Sequence, residues 1–350
     1  MDKKVNRVFT RRTLAAMMRS RKFYLFVVAA ALITIIPIFE RSAFTLRVLT
    51  LVAVFTVYAS SWNLLAYSGQ GSLGHATFLG IGGFVSSLVA INLGIPLLAG
   101  VLVGGFFSTG VGLLIGLACV RLKAWFLAMV TFGSSVIAVA MLYQFGGDAA
   151  VLGFSPPRIV PSGLPFYLLT AAFALVSVLT IYFIMNSKLG LAFKAIRENE
   201  LEARMIGINT PRYKLAAFVI STFFAGLAGS FYVQTQGYVD PSIFAADNSF
   251  KPLMMAVIGG LGTIEGPIIG SALIVAIDSF LPNIDKYIQP IMGPLFPAVS
   301  NVGPPLRLLG LGLFLIIVVI FLPKGLTSLL HKAYDYFRED TSKAKKNGKT

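Results

Sequence analysis

Apolar runs of about 20 residues recur along the chain, each long enough to cross a hydrocarbon core about 30 Å thick as a helix. They fall near Phe23–Phe39, Thr45–Leu65, Ser72–Leu93, Pro96–Val120, Ala124–Phe145, Phe166–Met185, Leu215–Gln236 and Leu308–Leu322. Pro252–Leu261 and Pro267–Leu281 flank the turn GLGTIEGP and read as a further hairpin, of short spans or re-entrant arms. Every run is apolar on all faces, whereas barrel strands alternate in polarity, so the expected segments are helices that satisfy their own backbone. The pattern predicts an all-α, polytopic transmembrane helical bundle of about 8–10 spans. It occupies one membrane domain, residues 23–325, between a basic N-terminal segment, 1–22, and a polar tail, 326–350.

One interior interval breaks the pattern. Ser187 to Lys214, SKLGLAFKAIRENELEARMIGINTPRYK, holds six basic and three acidic residues, whereas Val48 to Val120 holds no Asp, Glu, Lys or Arg. Asn199 can cap a short helix, Glu200–Ile206, with Glu202 at its third position and Gly207 closing it in the left-handed conformation. Glu200 and Arg204 stand four apart in the favourable order. So short a helix is marginal alone in water, and it gains from a partner, to which Met205, Ile206 and Ile208 offer apolar contacts. A solvated connector carrying topogenic charge is the alternative that spacing leaves open. Thr210-Pro211 reads as cap and first position of the next span.

Two stretches are richer in glycine than an ordinary span tolerates, since each glycine weakens a helix by about 1 kcal/mol relative to alanine. Ser68–Phe84 reads SGQGSLGHATFLGIGGF, and Ile258–Ala272 reads IGGLGTIEGPIIGSA. Glycine there means close backbone approach or a broken helix. Paired interrupted segments in two halves point to an internal repeat with re-entrant glycine-rich segments and a translocation path between them; tight small-residue packing is the alternative. On the first reading Gln70, Ser72, His75, Gly259, Gly260 and Gly262 line the path, with His75 open to a packing role instead.

Composition sharpens this picture. With 56% hydrophobic and 12% charged residues and a mean hydropathy of +0.81, the chain lies far from soluble domains, where about 25% charged is usual. Its net charge of +15 sits mainly at span ends and termini, which fits topology and gives no nucleic-acid surface. A cytoplasmic N-terminus puts the eight basic residues of the first 22, Arg121, Lys123, the 187–214 interval and the Lys-rich tail on one side, the positive-inside arrangement. The opposite side then carries the proline-containing loops Gly146–Pro165 and Asn283–Arg307. The first run ends at Glu40-Arg41 without a small-residue cleavage pattern and reads as a retained span. Leu326, Leu329, Leu330, Ala333, Tyr334 and Phe337 share a helical face suited to the inner membrane surface. Cys119 lies in an apolar run as a packing residue, and two histidines exclude a multi-histidine metal site. No phosphate-binding loop, GxxxxGK[ST], occurs, so any ATP chemistry belongs to another chain.

Three stretches kept in order, SGQGSLGHATFLGIGGF, GLAFKAIRENELEARMIGINTPRYKLAAFVISTFFAGLAGSFY and VIGGLGTIEGPIIGSAL, resemble the permease subunit of branched-chain amino acid ABC importers of the LivM type. The resemblance extends from Ser60 to Gly325, most of the chain. It implies a non-catalytic subunit of the bacterial inner membrane with both termini cytoplasmic, no cofactor and no metal. It further implies two cytoplasmic ATP-binding subunits, a second homologous permease subunit, and a periplasmic or extracellular substrate-binding protein as partners. The 187–214 interval becomes the coupling loop that sits in a cleft of the ATP-hydrolysing subunit, with Arg197, Glu198, Asn199, Glu200, Ala203 and Gly207 belonging to it. The broader importer signature, Glu-Ala-Ala with Gly after three residues, is met imperfectly, because Leu201-Glu202-Ala203 stands where Glu-Ala-Ala would. Branched-chain amino acids or similar small polar solutes are the implied cargo, with urea or short amides as the alternative. A secondary transporter or channel would need ionisable groups within spans, for which Asp278 and Glu265 are the available residues. A membrane enzyme would need clustered carboxylates or a His–Asp set, and the three glutamates of the loop are the one cluster present.

Overall fold

Ser42 opens the first described helix by accepting from Thr45 N at 3.2 Å, which satisfies one of the donors that a helix start leaves unpaired. The computed structural model describes residues 42–119, 122, 124–280, 312–313, 316, 320 and 325–328. The run at Phe23–Phe39, the loop at Asn283–Arg307 and the tail beyond 328 lie outside the described residues. Of the run at Leu308–Leu322, the described positions 312, 313, 316 and 320 are helical.

The helices follow in order as α1 (Ala43–Tyr67), α2 (His75–Leu93), α3 (Leu97–Cys119), α4 (Ala124–Phe145), α5 (Gly147–Leu152), α6 (Leu164–Met185), α7 (Lys188–Glu198), α8 (Glu200–Met205), α9 (Thr210–Gln236), α10 (Ala246–Gly259) and α11 (Glu265–Phe280). Among the described residues six helices, α1, α2, α3, α4, α6 and α9, are long and apolar enough to cross a membrane. They coincide with the runs read from the sequence, so the protein is a polytopic helical bundle. The central helix is α9, with 72% of its apolar window buried, against 22% for α4. Trp125, Met129 and Phe145 of α4 stand exposed, as lipid-facing side chains do.

Glycine makes the centre possible. A Cβ on Gly82 of α2 would strike the backbone of Gly226 in α9, and one on Gly104 of α3 would strike the Gly82 carbonyl. At that range hydroxyls cross between helices: Ser230 donates to Gly82 O at 3.0 Å and Ser108 to Phe78 O at 2.7 Å. Small residues at a membrane interface admit this close packing. The stretch Ser68–Phe84 is therefore not broken mid-helix. Its first glycines build the turn between α1 and α2, and Gly80, Gly82 and Gly83 seat neighbours inside a continuous α2. Cys119 is buried, as expected of a packing residue.

After α9 the chain turns at Gly237, and Val239 pairs with Phe154 through backbone bonds of 3.0 and 2.9 Å. It then enters the bundle as a 3-10 turn, Pro241–Phe244, whose Phe244 ring fills the space beside Gly80 and stacks on Phe84. Only there does α10 begin, with Tyr58 of α1 donating to Asn248 O at 3.0 Å. At 1.5 Å per residue α10 is roughly 21 Å long, a part-span. Its hairpin with α11 matches the pairing read at 252–281, and the chain reaches it through the entry at 237–245, where Ile243 and Phe244 are buried.

Candidate functional site

The polar interval folds as two short helices set against the bundle. Ser187 caps α7 by accepting from Leu189 N at 3.2 Å, and α7 buries Gly190, Ala192, Phe193 and Ile196. The helix was missed in the sequence, although Ala192, Phe193 and Ile196 at helical spacing are a signal for it. Asn199 then does what its position predicts. Its Oδ1 accepts from Leu201 N at 3.0 Å and Glu202 N at 3.3 Å, and its amide donates to Glu202 Oε1 at 2.7 Å. Gly207, at φ +85°, closes α8 with its N–H on Arg204 O. Thr210 is not the cap of α9, however; Asn209 accepts from Arg212 N at 3.3 Å. The Thr210 hydroxyl is drawn instead to Arg204 Nε at 2.9 Å and Glu200 Oε1 at 3.1 Å.

Glu200 is the centre of this loop. It meets Arg204 at 2.6 Å and the nearly buried Lys214 at 2.5 Å. Burial pushes its carboxyl up, but the hydrogen bonds from Lys214, Arg204 and Thr210 prevail and hold it below the usual glutamate value. Ala203 is buried beneath. At the tip, Leu201, Met205 and Ile206 are each at least 70% exposed and Ile208 is half-buried. Arg197 and Glu198 form no ion pair among the described residues.

Arg197 joins the loop to both glycine-rich turns. A Cβ on Gly69 would lie 3.2 Å from Arg197 Cα, and one on Gly262 would fall on the Arg197 guanidinium; both glycines have φ near +75°. Asn63 fastens the second turn from the other side, accepting from Gly262 N at 2.8 Å and donating to Thr263 O at 2.7 Å. The Gln70 amide donates to Lys214 O at 2.9 Å, and Trp62 Nε1 donates to Ser72 O at 2.7 Å. His75 is fully buried between Tyr58 and Phe78, with Nε2 3.0 Å from Ser61 Oγ. Gly259 lies against Gly266 and Gly260 against Gly325. The six residues read as a path thus gather near the loop-bearing end of the bundle, where Gln70 and the Ser72 carbonyl are hydrogen-bonded while the Ser72 hydroxyl and His75 Nδ1 are buried with no hydrogen-bond partner among the described residues.

Two cavities, of about 410 and 570 Å³, lie elsewhere, at the opposite end, and none of those six residues lines either. The larger is walled by the first half of α1, the end of α9, the start of α10 and the end of α11. In its wall Lys251, its side chain 9% exposed, meets Asp247 at 2.9 Å and Asp278 at 3.5 Å. Asp278 is among the ionisable residues expected within a span, whereas Lys251 stands just ahead of the apolar run at Pro252 that marks this segment in the sequence. No group of three metal-ligating side chains occurs among the described residues.

A bundle of membrane-crossing helices with a docked polar helix pair at one end and a charged cavity at the other marks a multi-pass membrane protein. Residues 44–319 match the family described as branched-chain amino acid transport system / permease component, and the chain belongs to that family. The high-affinity branched-chain amino acid transport system permease protein LivM of Escherichia coli (strain K12) is 26% identical over 305 residues, 77% of this chain and 71% of that one. LivH, the similarly named permease protein of the same strain, is 38% identical over 93 residues, 26% of this chain and 30% of its own. The autoinducer 2 import system permease protein LsrC of Yersinia enterocolitica is 28% identical over 282 residues, 72% of each chain.

Proposed function

We propose that the chain is the membrane-spanning permease subunit of an ATP-driven importer of branched-chain amino acids or similar small polar solutes. Family membership supports this, and so do the relatives named as permeases of amino acid transport. The observation that carries it is Arg197, one residue of the docked loop in contact with the turns of both hairpins. A push on α8 reaches the bundle through α7 and this arginine. Arg197, Glu198, Asn199, Glu200, Ala203 and Gly207 then form the coupling surface, with the exposed Leu201, Met205 and Ile206 completed by a nucleotide-hydrolysing partner.

On this reading the loop and both termini face the cytoplasm of a bacterial inner membrane, with residues 1–22 and 326–350 as cytoplasmic segments. The subunit performs no bond chemistry. It works with two ATP-binding subunits, a second permease subunit and a substrate-binding protein that docks on the opposite face. Gln70, Ser72, His75, Gly259, Gly260 and Gly262 are the loop-side part of the path. Urea or short amides are the alternative cargo. Purification of the chain from its native membrane tests the proposal: an ATPase that co-purifies, and whose hydrolysis in liposomes rises with a loaded binding protein, is the expected outcome. Concentrative uptake by this chain without a nucleotide-hydrolysing companion would overturn it.

A further inference from the structure

Lys251 is an ammonium inside a membrane bundle, and such a group is retained where it is paired or where it serves a solute. Its surroundings do both. Phe55, above whose ring the Lys251 Nζ sits at 5.8 Å, lies twelve residues into α1, roughly 18 Å from its start at 1.5 Å per residue. The cavity therefore runs from the end opposite the loop to about the middle of the span. Four charged side chains line it, Arg47 at the mouth and Lys251, Asp247 and Asp278 farther in, two basic and two acidic. The Arg47 guanidinium is held at 2.9 Å by Gln236 Oε1. Between the charges lie apolar walls from Leu51, Phe55 and Val275. The volume, about 570 Å³, is within the range of roughly 300–1,000 Å³ typical of small-molecule sites.

The acidic and basic groups of the lining already pair with one another, so an anion or a cation alone would add a net charge to a balanced, low-dielectric site, whereas a neutral zwitterion can join the network without doing so. A solute that carries both charges on one carbon, with an apolar side chain, answers all three features. We propose that the cavity is a transient seat for a zwitterionic aliphatic α-amino acid, its carboxylate on Lys251, its ammonium on Asp247 and Asp278, and its side chain against Phe55 and Val275. This rests on the import reading above and adds to it the place within the membrane where the cargo pauses.

The test uses the assembled importer with Cys119→Ala, which removes the one cysteine of this chain, and Ser242→Cys as a reporter in the cavity wall. Maleimide labelling of Ser242→Cys is followed by mass with leucine, isopentylamine or 4-methylpentanoate at equal millimolar concentration. Leucine is expected to slow labelling about threefold, the occupancy effect of a ligand at about twice its dissociation constant, while the amine alone and the acid alone do not. Lys251→Gln is expected to abolish the protection. Equal protection by all three solutes, by none, or by leucine in Lys251→Gln overturns the seat. Where Lys251→Gln fails to assemble, the three-solute comparison on the chain with Lys251 intact decides. Leucine uptake without protection overturns the seat and leaves the import reading standing; no uptake of any amino acid, urea or short amide overturns the import reading itself.

Discussion

Glu200 and Lys214 meet at 2.5 Å across 14 residues of sequence, so that the first turn of α8 is tied to the first turns of α9. Arg204 and Thr210 converge on the same carboxylate, which adds a tie between α8 and α9 to the Asn199 cap and the Gly207 closure.

Glu200→Gln should therefore loosen α8 by about 1 kcal/mol, a modest figure because solvent screens a carboxylate that is a third exposed. Amide hydrogen exchange at Ala203 to Gly207 would quicken several-fold. The wild-type loop should also depend on pH. Because the Glu200 carboxyl is held below its usual value, its contribution is complete above the ordinary glutamate range and is lost as pH falls through the lowered value. Exchange in Glu200→Gln should show no such acid dependence; an identical profile in both proteins would remove Glu200 as the source.

Gly207→Pro replaces a residue at φ +85° with one fixed near −65° and deletes the N–H that bonds Arg204 O. Backbone strain of about 1–3 kcal/mol in so short a helix unseats its end. Uptake should fall to background while insertion and ATPase activity persist. Normal uptake would count against a coupling role.

Met205 and Ile206 are 86% and 75% exposed. Changing both to Asp should leave the melting temperature of the chain unchanged, since exposed substitutions move stability by about 0.5 kcal/mol or less. If a partner covers them, losing burial worth about 1.5–3 kcal/mol for each side chain should abolish ATPase co-purification. Unaltered co-purification would place the docking surface elsewhere.

Gly82→Val puts a branched side chain against the Gly226 carbonyl. Overpacking of this kind costs about 1–3 kcal/mol or more, and the melting temperature in detergent should drop by several degrees. Gly110→Ala, at a helix position where a Cβ meets nothing, should leave it unchanged or raise it slightly.

The spans were legible because membrane helices announce themselves by length and apolarity, and α8 was legible because Asn199, Glu202 and Gly207 stand at the spacing of a capped turn. Three features were not. The helix α7 was hidden by its charges, since its apolar face is only a few residues wide. The glycines of Ser68–Phe84 were ambiguous because the same residue serves a break and a close contact, and only the position of Gly226 on α9 decides between them. Lys251 was overlooked because the apolar run that marks α10 begins after it, while the helix itself starts at Ala246 and brings in Asp247 one turn earlier. Its second partner, Asp278, comes from α11, a pairing across the hairpin that no local pattern encodes.

The position of Arg197 against Gly69 and Gly262 has a mechanical corollary. Under the proposed coupling, one residue resting on two turns would work as a yoke: a push on α7 would reach α1–α2 and α10–α11 in the same stroke. The bonds from Asn63 of α1 to Gly262 and Thr263 tie the second turn to the first hairpin directly, so the two would travel as one body.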